Sequence, residues 1–268
     1  MSNAVELSRP REGVARITMN LAESGGFVSW KAVGALADAL RDARAGGARV
    51  AVLAASLAGH WYQHAWLPDL LNAVTGKPTS GPGEAWFRAL DEIASPQLVT
   101  IAAISGDCSG GGAELGWACD LRIAEEQATF SQPEVMLGLT TGIGGTSRLV
   151  RLIGRTVAAE MVLDGAPLSA RRIYELGGVN RVVPAGEALP VALAWASRLA
   201  DRPAGALAAL KKILLENDDS HLSAALAGEQ TIFQQTAMSA AAQGAMRDTQ
   251  TRFDAGDTPR KVYGSPRG

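Results

Sequence analysis

The chain has few of the residues that build disulfide frameworks or metal centres. Only two cysteines, Cys108 and Cys119, and three histidines occur among its 268 residues, and none has the spacing of a zinc site. Both cysteines are predicted to be structural, because no basic residue beside either one would lower a thiol pKa. The sequence therefore predicts neither a disulfide framework nor a bound metal.

An excess of one charge and a long apolar run are also missing. The 25 basic and 27 acidic residues leave a net charge of −2, which provides no basic face for a nucleic acid. The opening stretch "MSNAVELSRPREGVARITMN" contains no apolar run of signal-peptide length, and no later stretch approaches a membrane span. We therefore expect no nucleic-acid or membrane partner, and a cytoplasmic location.

What the chain does contain is an alternation of short β-like runs with helical patterns. Strands are predicted at "GVARITMN", "ARVAVLAAS", "LVTIAAISG", "DLRIAEE", "ATFSQ" and "VNRVVP". Between the first two, a helix is predicted from the spacing of Trp30, Val33, Leu36 and Leu40. From Gly145 onward helical patterns dominate, and residues 221–253 form one long helical pattern rich in Ala and Gln. The stretch 59–83 is irregular, as functional loops often are. The alternation favours an α/β architecture with crossover connections.

A glycine-rich segment, "GDCSGGGAELGWACD" at 106–120, precedes one of the predicted helices. It is not a P-loop, because Gly111 is followed by Gly112 and Ala113 instead of Lys and Ser/Thr. It is not a dinucleotide fingerprint either, since Leu115 occupies the place of the last glycine. What remains is a helix start with free N–H groups that another group can approach closely, which suits an anion bound or formed there.

Two glutamates are the candidate acid and base. Glu114 follows the glycines in the new helix, and Glu134 follows the run "ATFSQP". If the adjoining strands lie beside the helix start, the two carboxylates converge, and a shared desolvated pocket would push their pKa values apart. Taken singly, Glu114 could merely complement the helix dipole and Glu134 could cap a turn.

Residues 98–184 strongly resemble the crotonase superfamily of enoyl-CoA hydratases and isomerases. The resemblance lies in several motifs that occur in the family's order. They are the glycines followed by Glu-Leu and Cys-Asp, then F-x-x-P-E, G-x-G-G-T and G-x-V-x-x-V-V-P. The resemblance implies a spiral of ββα turns over 1–200 and a C-terminal helical region over 201–268 that serves trimerisation or covers the pocket. It also implies a homotrimer or a hexamer of stacked trimers.

The resemblance further implies roles for single residues. The backbone N–H of Gly111 would be one donor of an oxyanion hole that holds a thioester carbonyl. Glu114 would activate the water that adds at Cβ, and Glu134 would exchange the proton at Cα. No cofactor is implied beyond the coenzyme A or pantetheine that forms part of the substrate.

The second oxyanion donor of the family comes from a loop close to A-F-x-A-G-A-D, where this chain has "HWYQHAW". In that alignment Gln63 takes the donor position through its backbone N–H. Tyr62 and His64 either add hydrogen-bonding or acid/base groups to the site or line an aromatic wall. The loop from Trp61 to Trp66 is therefore where the chain departs most from the family pattern.

The substrate carrier and the reaction remain open to alternatives at this point. Ser24 and Gly25 stand where the family usually has Lys or Arg, so the acyl group arrives either on coenzyme A or on the pantetheine arm of an acyl-carrier protein. Hydration of an unsaturated acyl thioester, or the reverse dehydration, is the leading reaction. An isomerase or decarboxylase working through the same enolate is the alternative. A non-catalytic subunit is disfavoured because two buried carboxylates cost free energy.

Overall fold

The computed structural model describes residues 4–217 and 220–264. Contacts between Cα atoms divide the chain into two compact units, Met1–Asp201 and Arg202–Gly268. The sequence predicts domains over 1–200 and 201–268. Within them, 1–3, 218–219 and 265–268 lie outside the described residues. The roles predicted for the C-terminal region stay predictions.

The first unit holds all the strands and most of the α-helices found among the described residues. Its strands are β1 (Val5–Arg11), β2 (Val14–Met19), β3 (Val50–Ala55), β4 (Gly59–His60), β5 (Val99–Ile104), β6 (Gly106–Ser109), β7 (Leu121–Glu125), β8 (Thr129–Ser131), β9 (Leu168–Ser169) and β10 (Arg181–Val183). Its α-helices are α1 (Trp30–Ala45), α2 (Leu67–Val74), α3 (Ala85–Ile93), α4 (Gly110–Ala118), α5 (Gly145–Asp164), α6 (Ala170–Glu175) and α7 (Ala188–Ala200), with short 3-10 turns at Ala22–Ser24 and Pro133–Leu137.

Two sheets carry the architecture of this unit. The larger has six strands in the order β1-β2-β3-β5-β7-β10, and the smaller has four in the order β4-β6-β8-β9. Pairing is parallel except for β1 with β2 and β8 with β9. Three successive turns place one strand in each sheet and then form helix: β3 and β4, β5 and β6, β7 and β8. The predicted α/β spiral of ββα turns is confirmed.

The core forms where the parallel strands are covered on both faces. Every residue of β5 is buried, as expected for a strand with helices on either side. Helix α1 begins where the Ser29 hydroxyl accepts a hydrogen bond from the Ala32 N–H at 3.1 Å, an N-cap. Its apolar face is buried at Val33, Leu36 and Leu40. These three positions are among those whose spacing predicted the helix.

The second unit is helical, with α8 (Ala204–Asn217), α9 (Leu222–Ala237), α10 (Ala240–Asp254) and α11 (Pro259–Tyr263). The single pattern predicted over 221–253 is therefore wrong in one respect, because it forms two helices. The hydroxyl of Ser239 accepts from the Ala242 N–H at 3.2 Å and so begins α10 afresh. No helix in the part of the chain described has the length and apolar character required to span a bilayer.

Four strands of the described residues were not predicted: β1, which has seven residues, and the shorter β4, β6 and β9. β1 is an edge strand whose pairing with β2 shifts between Ser8 and Arg11, around Pro10, because a proline cannot donate to the ladder. β6 lies within the glycine-rich segment and pairs with β4 and β8. Strands of two to four residues give too little alternation to be predicted from sequence.

The start of α4 approaches the loop after β4 very closely. A Cβ on Gly112 would lie 2.1 Å from the carbonyl oxygen of Tyr62 and 2.3 Å from that of Gln63. The Gly112 N–H donates to the Gln63 carbonyl at 3.1 Å. This backbone contact therefore requires a glycine at position 112, which is one physical reason for the glycines in this segment.

Substitution of Gly112 by Ala should consequently destabilise the protein by at least about 2 kcal/mol, since backbone has to move to admit the methyl group. Urea unfolding of the purified variant measures this. Gly205→Ala is the control, because nothing lies within 4 Å of its Cβ position, and it should not destabilise. A Gly112→Ala protein as stable as wild type would contradict this packing.

Candidate active site

Glu114 projects from α4 into a buried position beside the start of α5. The residue is 2% exposed. Its Oε1 accepts hydrogen bonds from the N–H groups of Ile143 at 3.1 Å and Gly145 at 2.6 Å. Gly145 is the first residue of α5, so the carboxylate faces the positive end of that helix. These contacts favour the ionised form.

Glu134 lies in the 3-10 turn Pro133–Leu137, which follows β8. The hydrogen-bond network orients the Gln132 amide so that its oxygen accepts from Trp117 Nε1 at 3.1 Å and its nitrogen donates to Glu134 Oε1 at 3.0 Å. Gln132 is itself 1% exposed. A sequence search for titratable groups could not single it out, because an amide carries no charge.

Burial raises the pKa of both glutamates, but the other groups that shift the two pKa values differ. For Glu114 the backbone hydrogen bonds from Gly145 and Ile143 oppose the increase. For Glu134 burial raises the pKa to about 7, and the charge of Glu114 acts in the same direction. With a pKa of about 7, the Glu134 carboxyl is close to half protonated at neutral pH, which suits a group that takes up and releases a proton.

The glycine-rich start of α4 supplies a free N–H beside these carboxylates. Gly111 is in the first turn, where N–H groups have no acceptor within the helix. The position a Cβ on Gly111 would take lies 3.6 Å from the backbone nitrogen of Ala65. Within the described residues the Ala65 N–H has no hydrogen-bond acceptor. Both residues line the same cavity.

The prediction that Gln63 provides the second N–H donor is wrong. Its N–H donates to the Gly26 carbonyl at 3.0 Å, and Gln63 is not among the residues that line the cavity. Along the loop, Trp66 donates to the Val28 carbonyl at 2.9 Å and His64 to the Ser109 hydroxyl at 3.1 Å. That leaves Ala65 between them. Alignment alone could not fix which N–H of the loop stays free.

Tyr62 and His64 lie in different surroundings. Tyr62 is fully buried, stacks on Trp61 with ring centroids 3.8 Å apart, and donates its hydroxyl to the Ala54 carbonyl at 3.1 Å. Burial raises the pKa of its phenol well above the ordinary value. The structure therefore contradicts both alternatives for Tyr62, because its side chain packs in the core and does not line the cavity.

His64 does line the cavity. Its Nδ1 lies 2.8 Å from the Ala65 carbonyl oxygen. A carbonyl can only accept, so Nδ1 carries a proton and donates it to this bond. The ring packs against Phe27 with centroids 4.4 Å apart. A role for His64 in the chemistry stays a prediction.

The cavity that joins these groups has a volume of about 250 Å³. Apart from the two glutamates, His64 and Thr140, its side chains are apolar or absent. The full lining consists of Trp30, His64, Ala65, Leu67, Leu70, Trp86, Gly111, Glu114, Glu134, Leu137, Leu139, Thr140, Gly142 and Ile143. A small apolar group next to an acid, a base and two free N–H groups is what this space accommodates.

Two tryptophans form one wall of the cavity. Trp30 and Trp86 meet edge to face with ring centroids 5.9 Å apart, and the outer edge of Trp86 lies 3.0 Å from the Cβ position of Gly111. The backbone N–H of Trp30 donates to Asp69 Oδ2 at 2.9 Å, which fixes the backbone from which the ring projects. Asp69 is 2% exposed and also accepts from the Ser80 N–H at 2.7 Å. The wall is therefore rigidly placed.

The described residues contain no cluster of side chains that suits a metal ion. Among them, no three His, Cys, Asp or Glu side chains are grouped as metal ligands would be. Cys108 and Cys119 are both buried free thiols, and burial raises the pKa of the Cys108 thiol well above its usual range. A buried protonated thiol is a poor nucleophile.

The chain belongs to the enoyl-CoA hydratase/isomerase family. The sequence profile of that family matches residues 9–253, which is most of the chain. This finding confirms the resemblance that the motifs of residues 98–184 indicated and extends it well beyond them on both sides.

Curated relatives match over part of their length. A 2,3-dehydroadipyl-CoA hydratase of Escherichia coli is 40% identical over 133 residues, which is 50% of this chain and 52% of that protein. A probable enoyl-CoA hydratase of Mycobacterium bovis is 37% identical over 148 residues, or 55% and 58%. A short-chain-enoyl-CoA hydratase of Clostridium acetobutylicum is 34% identical over 61% of each chain. The chain thus aligns with about half to three-fifths of the length of these relatives.

Solved structures match over nearly the whole chain. An enoyl-CoA hydratase subunit of Geobacillus kaustophilus superposes with a TM-score of 0.84 at 27% identity, covering 96% of this chain and 97% of that one. An enoyl-CoA hydratase of Polaromonas gives the same TM-score and identity, covering 96% and 99%. The chain therefore shares its overall fold with these proteins.

The raised pKa of Glu134 has a consequence for stability. An acid that binds its proton more tightly in the folded state makes folding less favourable as pH rises from its unfolded pKa, near 4.5, to its folded value of about 7. We expect wild type to lose about 1 to 3 kcal/mol of unfolding free energy between pH 5 and pH 8 relative to Glu134→Gln. Urea titrations at both pH values measure the difference.

The control is Glu126→Gln, which removes an exposed carboxyl outside the cavity. It should keep the wild-type pH dependence. Equal pH dependence in wild type and Glu134→Gln would show that the Glu134 carboxyl is not desolvated as described.

Proposed function

We propose that the protein hydrates an α,β-unsaturated acyl thioester, or dehydrates the 3-hydroxyacyl thioester in reverse. The observation that supports this most is the single cavity that holds Glu114, Glu134 and the free N–H groups of Ala65 and Gly111. A hydration needs one base for water, one acid for carbon, and a place for negative charge on the thioester oxygen.

The chemistry assigns each glutamate a role by its electrostatic environment. Ionised Glu114 removes a proton from water as the water oxygen bonds to Cβ. The electron pair of the C=C bond moves toward the thioester oxygen, whose enolate charge is stabilised by the N–H groups of Ala65 and Gly111. Protonated Glu134 then delivers its proton to Cα. The proton that Glu114 took from water then passes to Glu134, which restores both carboxyls. The net reaction adds H and OH across the double bond, and dehydration runs the same steps in reverse.

The alternative reactions of this fold use fewer of these groups. An isomerase or decarboxylase needs the enolate-stabilising N–H pair but no base for water. The residues that line the cavity include no cationic side chain, so burying two carboxyls there costs free energy. An isomerase or decarboxylase would gain nothing in return for that cost. A non-catalytic subunit would have still less reason to bury both. Retention of both carboxyls therefore favours water chemistry.

The acyl carrier is inferred to be coenzyme A, in line with the names of the relatives. Next to the cavity lies a cleft whose polar lining residues are Asn20, Glu23, Ser24, Ser29, Lys31 and Ser80. Lys31 is the one basic side chain in that lining, so it alone could make a charged contact there with the phosphates of coenzyme A. Parallel assays with crotonyl-CoA, crotonyl-pantetheine and a crotonyl-carrier protein distinguish the carriers. Assembly as a trimer or hexamer stays a prediction of the resemblance.

Glu114→Gln and Glu134→Gln should each lower kcat for crotonyl-CoA hydration by at least about 100-fold, because each removes one member of an acid/base pair. The loss of crotonyl absorbance measures the rate. Glu126→Gln serves as the matched control and should retain wild-type turnover. Wild-type rates in both cavity variants would end the two-glutamate mechanism.

The tryptophan wall should limit the length of the acyl chain. Trp86→Leu opens space beside Gly111, so the ratio of kcat/KM for octenoyl-CoA to that for crotonyl-CoA should rise by about 10-fold or more, since each buried methylene contributes about 0.8 kcal/mol. Trp195→Leu, which removes a tryptophan packed against Arg181 outside the cavity, should leave the ratio unchanged. An unaltered ratio in Trp86→Leu would mean the chain lies elsewhere.

A further inference from the structure

We propose that the side chains of Gln63 and Ser109 form a clamp that keeps the two N–H donors of the site free and correctly spaced. Neither side chain lines the cavity, so both are positioning residues. The proposal rests on the proposed function, because it concerns the oxyanion hole that the reaction uses. It assigns a purpose to Gln63, whose backbone N–H is not a donor to substrate.

The clamp is a continuous chain of hydrogen bonds. The His64 N–H donates to Ser109 Oγ at 3.1 Å, and that hydroxyl donates to Gln63 Oε1 at 2.7 Å. The Gln63 amide nitrogen then donates to the Asp107 carbonyl at 2.9 Å. Every donor has an acceptor and every direction is consistent, so each bond strengthens the next. The chain links the loop after β4 to the strand that leads into α4.

Ser109 occupies the N-cap position of α4, yet it does not cap the helix. A serine there usually accepts a hydrogen bond from the second or third N–H of the helix, which here belong to Gly111 and Gly112. The side chain of Ser109 makes no such bond. Gly112 donates instead to the Gln63 carbonyl, and the Gly111 N–H is left for substrate. Gln63 thus holds away a hydroxyl that would otherwise compete for the donor.

The same bonds fix the second donor. Ser109 holds the N–H of His64, the residue immediately before Ala65. The carbonyl of the peptide that carries the Ala65 N–H is the His64 carbonyl, which accepts from the Val28 N–H at 3.1 Å. That peptide is therefore held from both sides and polarised toward donation. A displacement of about 1 Å at such a donor can cost about 100-fold in rate.

Backbone contacts alone already join the two segments, so the side-chain clamp can be removed without separating them. The Ser109 N–H donates to the Tyr62 carbonyl at 3.2 Å, and Gly112 to Gln63 at 3.1 Å. Gln63→Met is close in shape and removes both polar atoms of the amide. Ser109→Ala removes the hydroxyl, whereas Ser109→Thr retains it. These variants test alignment of the donors more than the fold.

The primary measurement needs no turnover. Acetoacetyl-CoA forms an enolate whose ultraviolet absorption rises when N–H donors stabilise the thioester oxygen. Bound to Gln63→Met or Ser109→Ala, the enolate-to-ketone ratio at fixed pH should fall about 10-fold or more below wild type. Binding of butyryl-CoA, which has no enolate to stabilise, should change less than about 3-fold. Ser109→Thr should recover most of the enolate signal.

A double substitution tests whether the two side chains act as one unit. Gln63→Met with Ser109→Ala should fall no lower than the weaker of the two single variants, because loss of either side chain already breaks the chain of hydrogen bonds. Ser105→Ala is the matched control, since its hydroxyl bonds the His60 carbonyl at 3.2 Å and does not reach the clamp. It should match wild type.

Crotonyl-CoA hydration by the same set separates this proposal from the proposed function. If wild type stabilises the enolate through the clamp but does not hydrate crotonyl-CoA, the hydratase assignment is overturned and the clamp remains supported. Wild type that hydrates crotonyl-CoA while all variants keep its enolate signal and kcat would overturn the clamp. Multiplicative losses in the double variant would also overturn it.

Discussion

The contact between the first turn of α4 and the carbonyls of Tyr62 and Gln63 is the constraint on which the rest of the site depends. A helix and an extended loop can meet at this distance only where no side chain intervenes, and Gly112 meets that requirement. The approach places the N–H of Gly111 next to the N–H of Ala65. It also brings Glu114, on the same helix, under the loop that begins α5. One backbone contact therefore sets the position of three functional groups.

Helix ends carry much of the electrostatic work in the site. The first turn of α4 leaves the Gly111 N–H without an acceptor inside the helix, and the N–H groups of Ile143 and Gly145 at the start of α5 donate to the Glu114 carboxylate. The Glu134 carboxyl instead accepts a hydrogen bond from the side-chain amide of Gln132. Burial raises the pKa of both carboxyls, and the N–H groups at the start of α5 oppose that increase at Glu114.

The sequence predicted what depends on local pattern and on motif order. Runs such as "LVTIAAISG" became buried strands, and the spacing of Val33, Leu36 and Leu40 became the buried face of α1. Glu114, Glu134 and Gly111 do share a cavity. What it could not predict depends on three-dimensional hydrogen bonding. The free N–H belongs to Ala65 and not Gln63 because of pairing with Gly26 and Val28, residues distant in sequence.

Aromatic residues in the divergent loop show the same limit. Tyr62 and His64 are two positions apart, and on sequence both could line a wall or meet a substrate. Residues two apart in a regular strand would point to the same face, but residues 61–64 form no strand, and Tyr62 enters the core while His64 faces the cavity. Gln63, between them, bonds across to β6. A loop of unfamiliar composition can therefore preserve the free N–H of Ala65, because that group belongs to the backbone, while the altered side chains determine only how firmly the backbone is held.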